Sequence, residues 1–137
     1  MPRLDDCHPK VVRALEKAGW TENDAPFKVK RLNRQIYIDV EASRRANGSR
    51  QQILLAEVKC FPDTSSVTTE LYTAFGQYVI YRTMLAELNI EIPLYLTIPE
   101  ETYKNEFDAV VQRAINECKI RLLIVNLEME RIIQWIE

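Results

Sequence analysis

The sequence predicts one α/β domain in which a mixed β-sheet is flanked by helices, in the order α-β-β-β-α-β-α-β-β. The chain has 137 residues, of which 47% are hydrophobic, and this is enough for a single domain, spanning 1–137, with its own core. Strand-like and helix-like patterns alternate, and the strand at 93–98 follows a long helix, so we expect a helical crossover to bring it into the sheet. No apolar run is long enough for a membrane-spanning helix, so we expect no membrane partner.

The first half of the chain predicts one helix and three strands. These are a helix over 6–19 and strands over 27–32, 35–42 and 52–59. The helix has apolar residues at helical spacing, and the first two strands alternate apolar and polar residues, as half-exposed strands do. The third strand is apolar on both faces, which is typical of a central strand. We expect a loop over 42–50, with Asn47-Gly48 as its turn.

The second half predicts two helices and three strands. These are a helix over 67–88, a strand over 93–98, a helix over 99–118 and strands over 120–126 and 131–137. Ser66 or Thr64 is expected to cap the first of these helices. Pro99 suits the first turn of the second helix, because a proline lacks an N–H group that would be unpaired there in any case.

The cysteines and the histidine exclude several kinds of site. Cys7, Cys60 and Cys118 are odd in number and lack C-x-x-C spacing, so the sequence predicts neither a disulfide framework nor a cysteine zinc site. We therefore expect a reducing compartment, most simply the cytoplasm, and the polar N-terminus lacks the apolar core of a signal peptide. His8 is the single histidine, which excludes a multi-histidine metal site, and no serine lies in a G-x-S-x-G sequence.

Positive charge is concentrated in the first half of the chain. Residues 1–59 carry 12 Lys and Arg against 8 Asp and Glu, a net charge of +4, and residues 60–137 carry 6 against 12, a net charge of −6. The clustered basic residues are Lys28, Lys30, Arg31, Arg34, Arg44, Arg45 and Arg50. Such a surface can bind the phosphates of DNA. The alternative, which charge alone favours, is a solvated strand edge whose positive charges prevent edge pairing.

Three polar residues stand where strands are expected to be apolar. Asp39 lies between two apolar residues of one strand, and Glu57 and Lys59, two residues apart, share one face of the next strand. A hairpin would place the two strands side by side, so that two carboxylates and an ammonium group converge. Adjacent carboxylates repel unless a cation or proton joins them, and oxygen ligands of this kind suit Mg²⁺ or Mn²⁺. The alternative is a surface ion pair between Glu57 and Lys59 with an unrelated Asp39.

The following helix offers further candidates. Gln77 and Tyr81 are four residues apart and share one helix face, with Glu70 on nearly the same stripe. This face would hold DNA and water beside a metal ion, or Tyr81 would pack in the core with Gln77 as a solvated neighbour. Glu16 on the first helix is another candidate member of the site. Its alternative, an ion pair with Arg13 on the helix surface, is favoured.

The sequence Ile38-Asp39, followed by Glu57-Val58-Lys59 and by Q-x-x-x-Y, resembles the PD-(D/E)xK nuclease superfamily and its restriction-endonuclease-like fold. The resemblance implies that Asp39 and Glu57 are Mg²⁺ ligands and that Lys59 is the catalytic lysine that assists the attacking water. It also implies that Gln77 and Tyr81 support the site and that Glu16 is an outer ligand. Ile38 departs from the superfamily pattern, which has a proline at this position.

The whole chain is similar to a narrower family, XisH, the fdxN-element excision controlling factors of cyanobacteria. The segments that carry this similarity are 8–20, 36–40, 56–61, 74–82, 94–103 and 132–136. The resemblance implies a role in the programmed excision of a DNA element that interrupts a nitrogen-fixation operon during heterocyst differentiation. It also implies two partners, a separate site-specific recombinase that exchanges the strands and a small companion protein, XisI.

These features leave three functions open. We expect an accessory factor that controls excision and cuts plain duplex DNA little or not at all, because the chain is small and only modestly basic. The alternative is an active Mg²⁺-dependent DNA endonuclease, which the complete set of Asp39, Glu57 and Lys59 favours. A scaffold that pairs with XisI is compatible with either, and Trp135-Ile136 is a candidate surface for it. A homo-oligomer is also left open.

Overall fold

Six strands form a mixed sheet that carries helices on both faces, and two further strands form a separate hairpin. The computed structural model describes residues 6–23, 26–45, 50–62 and 66–137. The helices in these residues are α1 (His8–Lys17), α2 (Val67–Glu87), α3 (Glu100–Glu106) and α4 (Ala109–Cys118). The strands are β1 (Thr21–Glu22), β2 (Phe27–Arg31), β3 (Arg34–Ile38), β4 (Val40–Arg45), β5 (Gln51–Val58), β6 (Leu94–Pro99), β7 (Leu122–Asn126) and β8 (Arg131–Ile136).

The large sheet has the strand order β1-β4-β5-β6-β7-β8. β6 runs parallel to β5 and to β7, and the other neighbouring pairs are antiparallel. α2 makes the crossover from β5 to β6, and α3 with α4 makes the crossover from β6 to β7, because parallel neighbours cannot be joined by a tight turn. The predicted mixed sheet flanked by helices, with a helical crossover before the strand at 93–98, is therefore confirmed.

The strand predicted over 35–42 is in fact two strands that belong to different sheets. β3 pairs with β2 in the hairpin, whereas β4 pairs with β1 and β5 in the large sheet, and the chain bends between them at Asp39. Ile38 and Val40 are both fully buried, but they lie in different cores. The apolar alternation on the two sides of Asp39 is continuous in the sequence, so it cannot reveal that the pairing partner changes there.

The prediction of a loop over 42–50 is wrong for residues 42–45, which belong to β4. β4 continues to Arg45, and its ladder with β5 pairs Arg45 with Gln51. Hydrogen bonding to a neighbouring strand therefore overrides the weak strand propensity of this polar segment. The predicted Asn47-Gly48 turn lies outside the described residues.

The helix predicted over 99–118 is divided into α3 and α4. Phe107 is not helical and is buried against Phe75 and Tyr103. Asp108 then begins α4, since its carboxylate accepts a hydrogen bond from the backbone N–H of Val111 at 2.9 Å. No helix in the described parts of the chain is long and apolar enough to cross a membrane.

The start of α2 and the short strand β1 also differ in detail from expectation. Ser66 occupies the N-cap position of α2 but makes no capping hydrogen bond, and its hydroxyl donates instead to Glu70 at 3.0 Å. Thr64, the other predicted cap, lies outside the described residues. β1 was not predicted, because two residues carry no readable alternation.

Two cores lie on the two faces of the large sheet. One is formed with α2 and α4, and the other with α1. Tyr78 of α2 is fully buried in the first core, where its hydroxyl donates to the carbonyl of Leu94 at 2.7 Å and accepts from the N–H of Arg121 at 3.2 Å. These two bonds anchor the middle of α2 to the sheet and so position the residues on either side of Tyr78.

The structure contradicts the prediction that the cysteines are unpaired. Cys7, at the N-cap of α1, and Cys60, two residues beyond β5, form a disulfide with Cα atoms 5.9 Å apart. Cys118 is free and exposed. The pair is 53 residues apart in sequence, and only the packing of α1 against the sheet brings it together, so cysteine spacing could not indicate it. The expected reducing compartment loses the support of unpaired cysteines.

Candidate metal site

Asp39 and Glu57 face each other where β4 begins and β5 ends. The ladder pairs Val40 with Ala56, so Asp39 stands opposite Glu57. The backbone N–H of Asp39 donates to Oε1 of Glu57 at 3.3 Å, and the backbone N–H of Val58 donates to Oδ2 of Asp39 at 2.8 Å. The backbone of Asp39 therefore holds the Glu57 carboxylate. The backbone just after Glu57 holds the Asp39 carboxylate in the same way.

Strand alternation explains why Glu57 lies inside the protein. Leu55 belongs to the core beneath α2, whereas Leu54, Ala56 and Val58 belong to the core beneath α1. Glu57 shares the face of Leu55, and it is 4% exposed. The sheet thus aims a carboxyl group at α2 with little access to water.

Burial and the nearby Asp39 charge raise the pKa of Glu57 from its ordinary value near 4.5 to about 8, although Lys59 and the N–H of Asp39 act in the opposite direction. Two carboxylates in one poorly hydrated place cannot both be ionised at low cost. A bound proton or cation would relieve this repulsion, and the carboxylate oxygens of the pair are ligands of the kind that Mg²⁺ and Mn²⁺ prefer.

Lys59 lies at the outer rim of the carboxylate pair. Its Nζ is 3.9 Å from Oε2 of Glu57, and its side chain is 27% exposed where that of Glu57 is 6% exposed. The two-residue spacing predicted that both side chains point the same way, and the structure places them so. The ammonium group is thus open to an anionic ligand that approaches the pair from solvent.

Gln77 and Tyr81 of α2 are hydrogen bonded to each other, with Nε2 of Gln77 donating to the Tyr81 hydroxyl at 2.7 Å. Burial, followed by the negative charges of Glu57 and Asp39, raises the pKa of Tyr81, so this hydroxyl lies within the electrostatic reach of the pair. Oε1 of Gln77 is buried and has no hydrogen-bond partner among the described residues.

The unpaired Oε1 of Gln77 provides a test of whether a hydrated cation fits. A buried acceptor without a donor is costly, and water bound to a divalent cation would supply the missing donor. Mg²⁺ keeps several waters when only one or two carboxylates bind it. Asp39 and Glu57 would hold such an ion by their carboxylate oxygens, and a water bound to it would be a donor for Oε1 of Gln77.

Glu16 is not part of this cluster. It is exposed on α1, which packs on the opposite face of the sheet from α2. Its negative charge helps to raise the pKa of Arg13, but the ion pair of Arg13 is with Glu130, at 2.6 Å. Among the described residues, no group of three or more His, Cys, Asp or Glu could hold a metal ion, so the pair acquires no third acid from α1.

The predicted basic surface is divided into two separate parts. Lys28, Lys30, Arg31 and Arg34 are all exposed on the β2–β3 hairpin, and β3 leads directly into Asp39. Arg44 and Arg45 lie at the far end of β4, about 16 Å from its start. Arg44 also has local partners there, with its guanidinium 4.6 Å from the centre of the Trp20 ring and Nε donating to Gln52 at 2.8 Å.

Comparison with known proteins places the chain in a family. The sequence model described as XisH protein matches residues 1–133. The chain belongs to the XisH family. Two crystal structures at 1.60 Å resemble it, each with a TM-score of 0.83 over 97% of this chain and 100% of the other. One is an XisH family protein from Nostoc punctiforme PCC 73102, 34% identical, and the other is an fdxN element excision controlling factor protein from Anabaena variabilis, 32% identical. No curated protein matches the sequence.

In this member of the XisH family, the structure gathers five of the predicted site residues, places four more on the hairpin that leads to them and separates three others. Asp39, Glu57, Lys59, Gln77 and Tyr81 lie together. Those that lie elsewhere are Glu16, Arg44 and Arg45. Sequence reasoning missed the backbone N–H of Val58, which holds Asp39, because a main-chain donor leaves no signal in residue type.

Proposed function

We propose that this chain is a DNA-binding accessory factor that controls the excision of a DNA element, built on a restriction-endonuclease-like fold. The observation that carries the proposal is the reciprocal Asp39–Glu57 pair beside Lys59, in a family that includes an fdxN element excision controlling factor from Anabaena variabilis. The element excised by this chain's system would be of the fdxN type. Strand exchange belongs to a separate site-specific recombinase, and XisI is the companion protein.

Asp39 and Glu57 would hold Mg²⁺ or Mn²⁺, which supplies a Lewis acid for a phosphodiester oxygen. The protein's own side chains and backbone determine the hydration and the charge around this ion. The sheet and α2 exclude water from Glu57 and so strengthen every electrostatic interaction there. Lys59 positions its ammonium group at the rim to meet a phosphate. Gln77 and Tyr81 orient water next to the carboxylates.

The hairpin supplies the complementary charge for DNA. Residues 27–38 contain four basic and no acidic side chains, and the hairpin ends at the carboxylate pair. A duplex lying along the hairpin would therefore bring its backbone to Lys59. This arrangement supports DNA binding by the same face that holds the cation.

The accessory role is favoured over nuclease activity by the small size of the DNA-binding surface. Four exposed hairpin cations offer few phosphate contacts for a chain with a net charge of −2, and positioning of the phosphodiester accounts for much of the catalysis in phosphoryl chemistry. A partner would then supply the remaining affinity. The second candidate, a Mg²⁺-dependent DNA endonuclease, is favoured by the complete set of Asp39, Glu57 and Lys59.

Thermal melting with added Mn²⁺ tests the cation site in protein first stripped of metal with EDTA. We expect Mn²⁺ to raise the melting temperature of the parent protein, because a ligand that binds only the folded state stabilises it. Asp39→Asn and Glu57→Gln should abolish that rise. Glu16→Gln, which removes an exposed acid outside the pair, is the matched control and should keep the rise. A Glu57→Gln variant that responds to Mn²⁺ as the parent does would overturn the cation site.

A further inference from the structure

The tip of the β2–β3 hairpin carries a leucine in an unfavourable place. Leu32 is 84% exposed, the highest value among the large hydrophobic residues of the described chain. It is the first of the two residues that join β2 to β3, and its φ is +54°, in the left-handed region where glycine is normally found in such turns. Both the exposure of Leu32 and its backbone conformation therefore disfavour leucine here.

The hairpin holds this leucine in a fixed position. Val29 and Ile36 on its inner face are buried in the core beneath α2. At the tip, Nη1 of Arg31 is 3.0 Å from Oε1 of Glu87, in the last turn of α2. The backbone of the tip is thus held next to a helix, so part of the cost of placing Leu32 against a partner is met before binding.

The charge around Leu32 indicates the chemistry of its partner. Arg34 lies next to the turn, opposite Arg31, whose charge is paired with Glu87, and the outer face of the hairpin adds Lys28 and Lys30. A partner protein with an apolar pocket would need acidic groups around that pocket on every side. Duplex DNA has this pattern throughout, because its stacked, apolar bases are bordered by phosphates. Leucine is among the side chains that proteins insert between base pairs, next to arginines that occupy the minor groove.

We propose that Leu32 is a wedge that inserts between two base pairs of duplex DNA while Lys28, Lys30 and Arg34 of the hairpin hold the flanking phosphates. This proposal rests on the DNA-binding part of the proposed function and is independent of the cation site. β3 runs from the tip to Asp39, so the wedge and the carboxylate pair lie about 20 Å apart. This corresponds to about six base-pair steps, so one short duplex can contact both.

A duplex that contains 2-aminopurine at successive positions tests the wedge, because the fluorescence of this base rises when it is unstacked. We expect the parent protein to raise the fluorescence, most strongly at TA steps, which unstack most easily. Leu32→Gly removes the wedge and suits the positive φ, so it should fold at least as well as the parent. It should lose the fluorescence rise and bind on the order of tenfold more weakly, with an unchanged salt dependence because the phosphate contacts remain.

Two controls accompany this variant. Leu32→Met keeps an apolar side chain at the tip and should retain the fluorescence rise. Val110→Ala truncates another exposed apolar residue, 75% exposed on α4, and should behave as the parent does. If Leu32→Gly unstacks and binds DNA like the parent, while Arg34→Ala weakens binding, the wedge is refuted and DNA binding stands. If the parent binds no duplex at all, the wedge and the DNA-binding part of the proposed function both fail.

Discussion

Oε1 of Glu57 accepts the backbone N–H of Asp39, while Oδ2 of Asp39 accepts the N–H of Val58, the residue directly after Glu57. The carboxylate of each acid is thus held by a backbone N–H group of the other acid's strand. Lys59 approaches Glu57 only to 3.9 Å. Two carboxylates this close repel each other when both are ionised, and a bound proton or metal ion would relieve that repulsion.

The first prediction concerns the pH dependence of stability without metal. Because the folded-state pKa of Glu57 is raised to about 8, the folded state retains a proton that the unfolded chain has lost. The contribution of Glu57 to stability is therefore fully present below its unfolded pKa and is lost as pH rises through the folded value. We expect the free energy of unfolding in EDTA to fall by about 2–3 kcal/mol between about pH 5 and about pH 7.

Urea unfolding at a series of pH values measures this effect. Glu57→Gln has no proton to lose, so its stability should change less over the same pH range, and the difference between the two proteins isolates Glu57. Saturating Mn²⁺ should remove most of the parent's fall. Parallel pH profiles for the parent and Glu57→Gln in EDTA would contradict the prediction.

The second prediction concerns the disulfide between Cys7 and Cys60. Because it closes a long loop, 53 residues in sequence, its reduction should lower the free energy of unfolding by about 4 kcal/mol in the chain-entropy treatment. Thermal melting with and without dithiothreitol measures the change. Cys7→Ser should melt like the reduced parent and respond little to the reductant. Cys118→Ser, which changes the free cysteine, is the control and should respond as the parent does.

The third prediction concerns the hairpin cations. Replacing Lys30, Arg31 and Arg34 together with alanine should weaken DNA binding and flatten its dependence on salt, because fewer counterions are released. Each lost phosphate contact should reduce the slope of log K against log salt by about 0.9. The matched control replaces Lys104 and Arg113, exposed cations with partners four residues away on α3 and α4. An unchanged slope in the triple variant would place DNA binding elsewhere.

The fourth prediction concerns catalysis. We expect the purified protein to cut linear, supercoiled and branched DNA little or not at all with Mg²⁺ or Mn²⁺, because the single hairpin provides few contacts to position a phosphodiester. The assay compares the parent with Lys59→Ala by gel electrophoresis. Robust cleavage that disappears in Lys59→Ala would reject the accessory role and favour the endonuclease. Cleavage that persists in that variant would indicate a contaminating nuclease.

Much of the candidate site could be predicted from short-range patterns. The two-residue spacing of Glu57 and Lys59 and the four-residue spacing of Gln77 and Tyr81 determine which side chains share a face, since strand and helix periods are properties of the local backbone. The long helix before the strand at 93–98 likewise required a crossover and hence a mixed sheet.

The tertiary structure alone decided the features that depend on partners distant in sequence. The bend at Asp39 separates β3 from β4 because the two strands pair with different neighbours. The disulfide forms because α1 packs on β1 and β8 of the sheet, which brings Cys7 beside Cys60, and this same packing places Glu16 across the sheet from the site for which it was a candidate. Leu32 looks like an ordinary hydrophobic residue in an alternating strand, and only the turn gives it an exposed position and a positive φ. A local pattern determines which residues share a face, whereas long-range pairing and packing determine which strand, helix or solvent that face contacts.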